Sequence, residues 1–120
     1  MTLGGHLFRQ RTIRGLHQEE AAKLIGVCGA TYLNWEKDQR KPVPHHWPAV
    51  IHFLGYDPYP TSQALGERMA ALRRSVGWSF KEAAQSTGID EGTWRKIELG
   101  LQSPMSRVSS ILLSLLCGAQ

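Results

Sequence analysis

The sequence predicts an all-α chain made of two tandem helical units packed together, and three observations carry that expectation. Residues 3–42 align without a gap on residues 65–104 at a constant offset of 62 positions. Within each copy, apolar residues recur at three- and four-residue spacing, the signature of helices that bury one face. Glycines stand at the same places in both copies, where such helices would stop. Eleven aligned pairs are identical: Leu3/Leu65, Gly4/Gly66, Arg11/Arg73, Gly15/Gly77, Glu20/Glu82, Ala21/Ala83, Ala22/Ala84, Gly26/Gly88, Thr31/Thr93, Glu36/Glu98 and Pro42/Pro104. One compact unit used twice is the simplest reading, with boundaries at residues 1–60 and 61–120.

Thr2 is placed to cap a first helix in which Leu3, Leu7, Phe8 and Arg11 recur at helical spacing, and Gly15 ends it. A second helix, Gln18 to Ile25, turns Ala21, Ala22 and either Leu24 or Ile25 inward before Gly26 breaks it. Its counterpart opens with Ser79 and Glu82 at capping-box spacing, where the first copy has the poorer cap His17. A third helix spans about Gly29 to Lys37, with Tyr32 and Trp35 on its apolar face. Trp94 and Ile97 repeat that stripe, and Asp90 is a better N-cap than Cys28. The order helix, glycine turn, helix is the helix-turn-helix arrangement, whose second helix can enter a DNA major groove.

Between the copies, Pro48 at a first helical position and Gly55 as a stop predict a short fourth helix. The segment Tyr56-Asp57-Pro58-Tyr59-Pro60 is expected to be stiff and extended, because residues before proline avoid the helical region. Thr61 or Ser62 would cap a helix from about Gln63 to Ser75. A C-terminal apolar helix from about Met105 to Cys117 closes the second unit. The tryptophans, Trp35, Trp47, Trp78 and Trp94, are read as core.

Composition narrows the function. The 120 residues carry a net charge of +4, a mild basic bias that suits a polyanionic partner. The first copy holds seven cations against four acids, the second six against five, so charge favours the first for nucleic acid. The two cysteines lack CxxC spacing, which indicates neither a zinc ribbon nor a disulfide framework and fits a reducing cytoplasm. No apolar run reaches signal-peptide or membrane-span length. His45, His46 and His52 have no nearby cysteine or carboxylate at ligand spacing, so no metal and no cofactor is expected. No nucleophile elbow, phosphate loop or carboxylate pair suggests an enzyme.

The residues Gln18-x-x-x-Ala22-x-x-x-Gly26, Thr31, Trp35-Glu36 and Arg40-x-Pro42 resemble the lambda-repressor-like (Xre or Cro type) helix-turn-helix family of bacterial and phage transcriptional regulators. The resemblance covers about 40 residues twice and is more specific in the first copy. It implies a structural ion pair between Arg11 and Glu36, and between Arg73 and Glu98. It also implies that Gln18 meets the DNA backbone and that Gly29, Ala30 and Asn34 hold base-reading positions. Asn34 has the amide chemistry to engage adenine, Ala30 or Thr31 could offer a methyl to thymine, and Lys37, Arg40 and Lys41 would hold phosphates. In the second copy Phe80 replaces the glutamine. Glu91 and Gly92 lead its third helix, and Arg95 and Lys96 are its candidate DNA contacts.

The function expected is a sequence-specific, double-stranded-DNA-binding regulator, associated with the nucleoid and with no evident small-molecule effector. The alternative is a protein-interaction module, antitoxin- or adaptor-like, in which the C-terminal helix grips a second copy or a partner protein and DNA contact is secondary or lost.

Overall fold

Thr2 opens the first helix in extended backbone, its hydroxyl accepting from the Gly5 amide at 3.1 Å. In the computed structural model, which describes residues 1–59, 64–104, 108–111 and 114, this helix, α1, runs over Leu3–Ile13. Gly15 follows its end with φ of +67°. Helix α2 covers Gln18–Ile25 and stops on Gly26 in the left-handed region. Glu20 accepts from the His17 amide at 3.0 Å, satisfying one donor that the helix start would otherwise leave unpaired. Helix α3 is Gly29–Glu36.

The first core gathers Leu3 and Leu7 of α1, Ala21, Ala22 and Ile25 of α2, and Tyr32 and Trp35 of α3. Two apolar residues read as candidates for that core lie outside it. Phe8 is 53 % exposed and Leu24 65 %. The inward stripe of α1 runs through Leu3 and Leu7, so the next residue rotates about 100° away. Phe8 instead lies under the Arg11 guanidinium, 5.3 Å from its ring centroid. On α2 the inward residue is Ile25.

After α3, Asp38 takes φ of +59°, and its carboxylate reaches back to the start of α1. It accepts from the Thr2 hydroxyl at 2.7 Å and from the Gly4 amide at 3.0 Å. A 3-10 turn at Pro44–His46, unforeseen in the sequence, leads into helix α4, Trp47–Leu54. Trp47 is therefore the first helical residue and Pro48 the second, and both positions lack an intrahelical use for the proline N–H. The segment after Gly55 bends rather than extends. Asp57 Oδ1 accepts from the Tyr59 amide at 2.9 Å, an Asx turn that brings Tyr59 to 5.7 Å from the Trp47 ring.

In the second unit α5 spans Leu65–Val76 behind Ala64 as N-cap; Thr61, Ser62 and Gln63 lie outside the described residues. Helix α6 is Phe80–Thr87, with a reciprocal capping box. Glu82 accepts from the Ser79 amide at 3.0 Å and donates its own amide to the Ser79 hydroxyl at 3.1 Å. Helix α7 is Glu91–Glu98, capped by Asp90, which accepts from the Thr93 amide at 3.2 Å. Its core is Met69, Ala83, Ile89, Trp94 and Ile97, with Leu65, Trp78, Phe80, Val108 and Ile111 packed against it. Of the expected C-terminal helix, 108–111 and 114 are helical and the remainder, Cys117 included, falls outside the described residues. The described residues form only helices, turns and loops, and the chain divides into compact units Met1–Pro60 and Thr61–Gln120. No described helix is long and apolar enough to cross a membrane.

One close approach recurs in both units. A methyl on Gly4 would run into the Glu36 carbonyl and come to 2.8 Å from the Trp35 carbonyl oxygen. A methyl on Gly66 would lie 2.6 Å from the Glu98 carbonyl oxygen and 2.7 Å from that of Ile97. These glycines let the first helix of each unit sit against the C-terminal end of the third, which sets the angle at which α3 and α7 are presented.

Candidate nucleic-acid interface

The position of α3 is fixed by one carboxylate. Arg11 donates from Nε to Glu36 Oε2 and from Nη2 to Oε1, both at 2.9 Å, and from Nη1 to the Leu16 carbonyl at 3.0 Å. The side chains are 15 % and 8 % exposed, and the two parallel bonds give the pair a defined orientation as well as attraction. Gln18 Nε2 adds a third donor to Glu36 Oε1 at 3.1 Å. Burial opposes ionisation of this carboxyl, yet the hydrogen bonds from Arg11, Tyr32 and Gln18 and the Arg11 charge outweigh it and hold its pKa below the ordinary value. Burial, reinforced by the neighbouring Glu36, pushes the Tyr32 hydroxyl well above its own.

That network ties α1, α2 and α3 together and exposes the outer face of α3. Ala30 is exposed there, while Gly29, Thr31 and Asn34 are half-buried. The Thr31 hydroxyl lies 3.1 Å from the Cys28 sulfur. The Asn34 backbone carbonyl accepts the Gln39 and Arg40 amides at 2.9 and 3.4 Å, and its side chain lines the adjoining hollow. Lys37, Arg40 and Lys41 are all exposed. Thr31, Asn34, Arg40 and Lys41 line one hollow of about 160 Å³ together with Trp35, Val43 and His46. No motif in the chain points to Val43 and His46 at that place. His46 arrives through the 3-10 turn and stacks obliquely on Trp35 with centroids 5.7 Å apart. Burial and then the nearby His45 hold its pKa below the ordinary value.

Gln18 stands apart from that hollow. It lines a separate open depression beside Glu19 and Glu20, and one of its amide hydrogens is engaged by Glu36. An amide nitrogen carries two hydrogens, so one remains for a ligand, next to two carboxylates.

The second unit repeats the clamp with another third donor. Arg73 donates from Nε to Glu98 Oε2 at 3.0 Å and from Nη2 to Oε1 at 2.8 Å, and the exposures match those of the first pair. Here Trp94 Nε1 donates to Glu98 Oε2 at 2.8 Å. Phe80, at the place of Gln18, lies under two guanidinium groups, Arg73 at 4.3 Å and Arg95 at 4.8 Å from its centroid. Arg95 also approaches Glu91 at 4.0 Å along the helix. Of the expected contacts Arg95 and Lys96, both exposed, the first is thus drawn onto the protein's own surface.

The loops that follow α3 and α7 have one backbone and different side chains. Lys37, Asp38 and Gln39 donate their amides to Leu33, Trp35 and Asn34, and Leu99, Gly100 and Leu101 donate theirs to the equivalent Arg95, Ile97 and Lys96. Where the first loop exposes lysine and glutamine, the second exposes Leu99 at 65 % and Leu101 at 74 %.

Among the described residues no three histidine, cysteine, aspartate or glutamate side chains gather as a metal site would require. No curated protein and no solved structure matches the chain. Residues 64–119, covering the second unit, match the family model of a helix-turn-helix domain.

Proposed function

We propose that this protein is a transcriptional regulator of the lambda-repressor-like type that binds double-stranded DNA sequence-specifically through α3 of its first unit. The observation that carries the reading is the outer face of α3, where Thr31, Asn34, Arg40 and Lys41 converge on one hollow and Lys37 is exposed at the end of the helix. Cations at the end of a helix hold phosphates on either side of a groove, and the half-buried amide of Asn34 is the group able to pair with adenine N6 and N7. Gly29 and Ala30 add no bulk at the leading end, so the helix can approach base edges closely, with the methyl groups of Ala30 and Thr31 as apolar contacts for thymine. Gln18 adds a backbone contact from the side.

The second unit contributes less to this reading. It has the helix-turn-helix match, but acids lead α7, Arg95 is held by Phe80 and Glu91, and its loop carries leucines in place of lysine. Lys96 remains as a phosphate contact.

Selection of bound fragments from random duplex DNA, followed by titration at several salt concentrations, tests the proposal. Binding should weaken steeply as salt rises, because phosphate contacts release counterions. Lys37→Ala and Arg40→Ala should each lower affinity on all sequences and flatten the salt dependence. Asn34→Ala should lower it about tenfold on the selected site and little elsewhere. Absence of retention on duplex DNA at low salt sinks the proposal.

A further inference from the structure

We propose that His46 is a further contact for the DNA backbone, one that holds a phosphate only with its imidazole protonated, so that binding at the α3 hollow takes up a proton. This uptake rests on the proposed function, since duplex DNA is the ligand, and it puts that face under the control of pH. The 3-10 turn sets the ring in place. The His46 amide closes the turn on the Val43 carbonyl at 3.0 Å, and the ring lies between Trp35 and His45, with centroids 5.7 and 4.2 Å away. No hydrogen bond to a described residue takes either ring nitrogen.

The hollow that His46 lines suits an anion. Thr31 and Asn34 bring a hydroxyl and an amide, Arg40 and Lys41 bring two fixed cations, and among the described residues no carboxylate lines it. The acids nearest in sequence are turned elsewhere, Asp38 to Thr2 and Gly4 and Glu36 to Arg11 and Gln18. Of the other titratable groups on the adjoining elements, His45 stands beside the ring and His52 of α4 is exposed. Folding does not ask for a histidine here. At the offset of 62 positions, Thr93, Gln102 and Val108 line a hollow in the second unit, where the threonine is kept and the arginine and histidine give way to neutral side chains. In the free protein, burial and then His45 hold the His46 pKa below the ordinary value, so the ring is mostly uncharged at neutral pH. A phosphate in the hollow favours the charged form. The pKa therefore rises on binding, and affinity grows as pH falls from the bound value towards the free one, below which the gain is complete.

The test is titration of the full chain with the selected duplex between about pH 8 and about pH 6, at several salt concentrations. Wild-type affinity should rise about tenfold towards the lower pH. The slope of log affinity against log salt should steepen by about 0.9, the increment of one further phosphate contact. His46→Gln should lose both changes. His45→Gln removes the neighbour that lowers the pKa, so it should keep both and move them to higher pH, and His17→Gln, beside Gln18, should keep both unmoved. Calorimetry of the wild type in two buffers of different ionisation enthalpy should show a proton taken up, a reading that stands even if His46→Gln melts early. Salt-dependent binding that is equal across this range, or that takes up no proton, overturns the proposal and leaves the function standing. A pH response that survives His46→Gln, or that vanishes with His45→Gln or His17→Gln, overturns it too, as does a response without the change in salt slope. No retention at either pH overturns both the proposal and the function.

Discussion

The two units solve one problem with different atoms. Each must hold a glutamate at the end of its third helix against an arginine of its first, and the bidentate geometry of Arg11 with Glu36 and Arg73 with Glu98 agrees to 0.1 Å. The third donor does not agree. In the first unit the amide of Gln18, from α2, adds to the Tyr32 hydroxyl one turn before Glu36; in the second the further donor is the indole of Trp94, one turn before Glu98. Trp94 replaces Tyr32 and Phe80 replaces Gln18 at equivalent places. Phe80 at the head of α6 offers no hydrogen bond and instead lies under Arg73 and Arg95. The residues around the pair thus differ between the units, while the pair they serve is constant.

Removing one partner of that constant pair should have the largest effect. Arg11→Ala or Arg73→Ala leaves a largely buried carboxylate uncompensated and should destabilise its own unit by about 3 kcal/mol. Hydrogen exchange resolved by residue would show whether the loss stays within that unit; equal losses in both copies are expected if the clamp is equivalent. Next come Gly4→Ala and Gly66→Ala, each expected to destabilise by about 2 kcal/mol, because the added methyl meets backbone carbonyls that cannot rotate away. Chemical denaturation of the two variants would reveal an unequal approach if one were tolerated.

A smaller effect tests the exchange of donors. Gln18→Phe alone should lose about 1 kcal/mol with its hydrogen bond to Glu36. The double variant Gln18→Phe with Tyr32→Trp should recover part of it, giving a favourable coupling in a double-mutant cycle. Strict additivity would show that the two positions do not communicate. The smallest effect is the response to acid. Because the folded pKa of Glu36 lies below the ordinary carboxylate value, its contribution is complete above that value and disappears as pH falls through the depressed one. Stability of the first unit should decline over that window, and Glu36→Gln should flatten the decline.

Much of the fold is legible in the chain because its stops are chemical. Gly15, Gly26, Gly55, Gly77 and Gly88 all take positive φ, and Ser79 with Glu82 and Asp90 with Thr93 close their helix starts as side-chain chemistry alone suggests. What the chain does not show is anything set across distance. The tolerance for Phe8 at the surface depends on Arg11 covering its ring, and the bend at Asp57 on a hydrogen bond that local proline rules ignore. Gly4 and Gly66 are conspicuous as a repeated glycine near the start of a helix, a position where nothing local requires one. Their reason is a carbonyl more than thirty residues away. The contacts of Arg11 and Arg73 likewise span 25 residues, beyond the reach of periodicity, and only resemblance suggests them. For the interface, residue types at α3 indicate chemistry, whereas the gathering of Val43 and His46 around the same hollow depends on the 3-10 turn.

The strap from Asp38 to Thr2 and Gly4 has a consequence for how such units diverge after duplication. In the second unit the equivalent places are held by Gly100 and Ala64, and the loop keeps its left-handed residue without the strap. An intermediate that changes Thr2 first keeps an aspartate in a conformation it adopts reluctantly while losing one of its two partners. An intermediate that changes Asp38 to glycine first relaxes the backbone at once and leaves the threonine able to cap α1 alone. The two substitutions are therefore unequal in cost, and the sign of one dihedral angle at residue 38 sets which of them the unit tolerates alone.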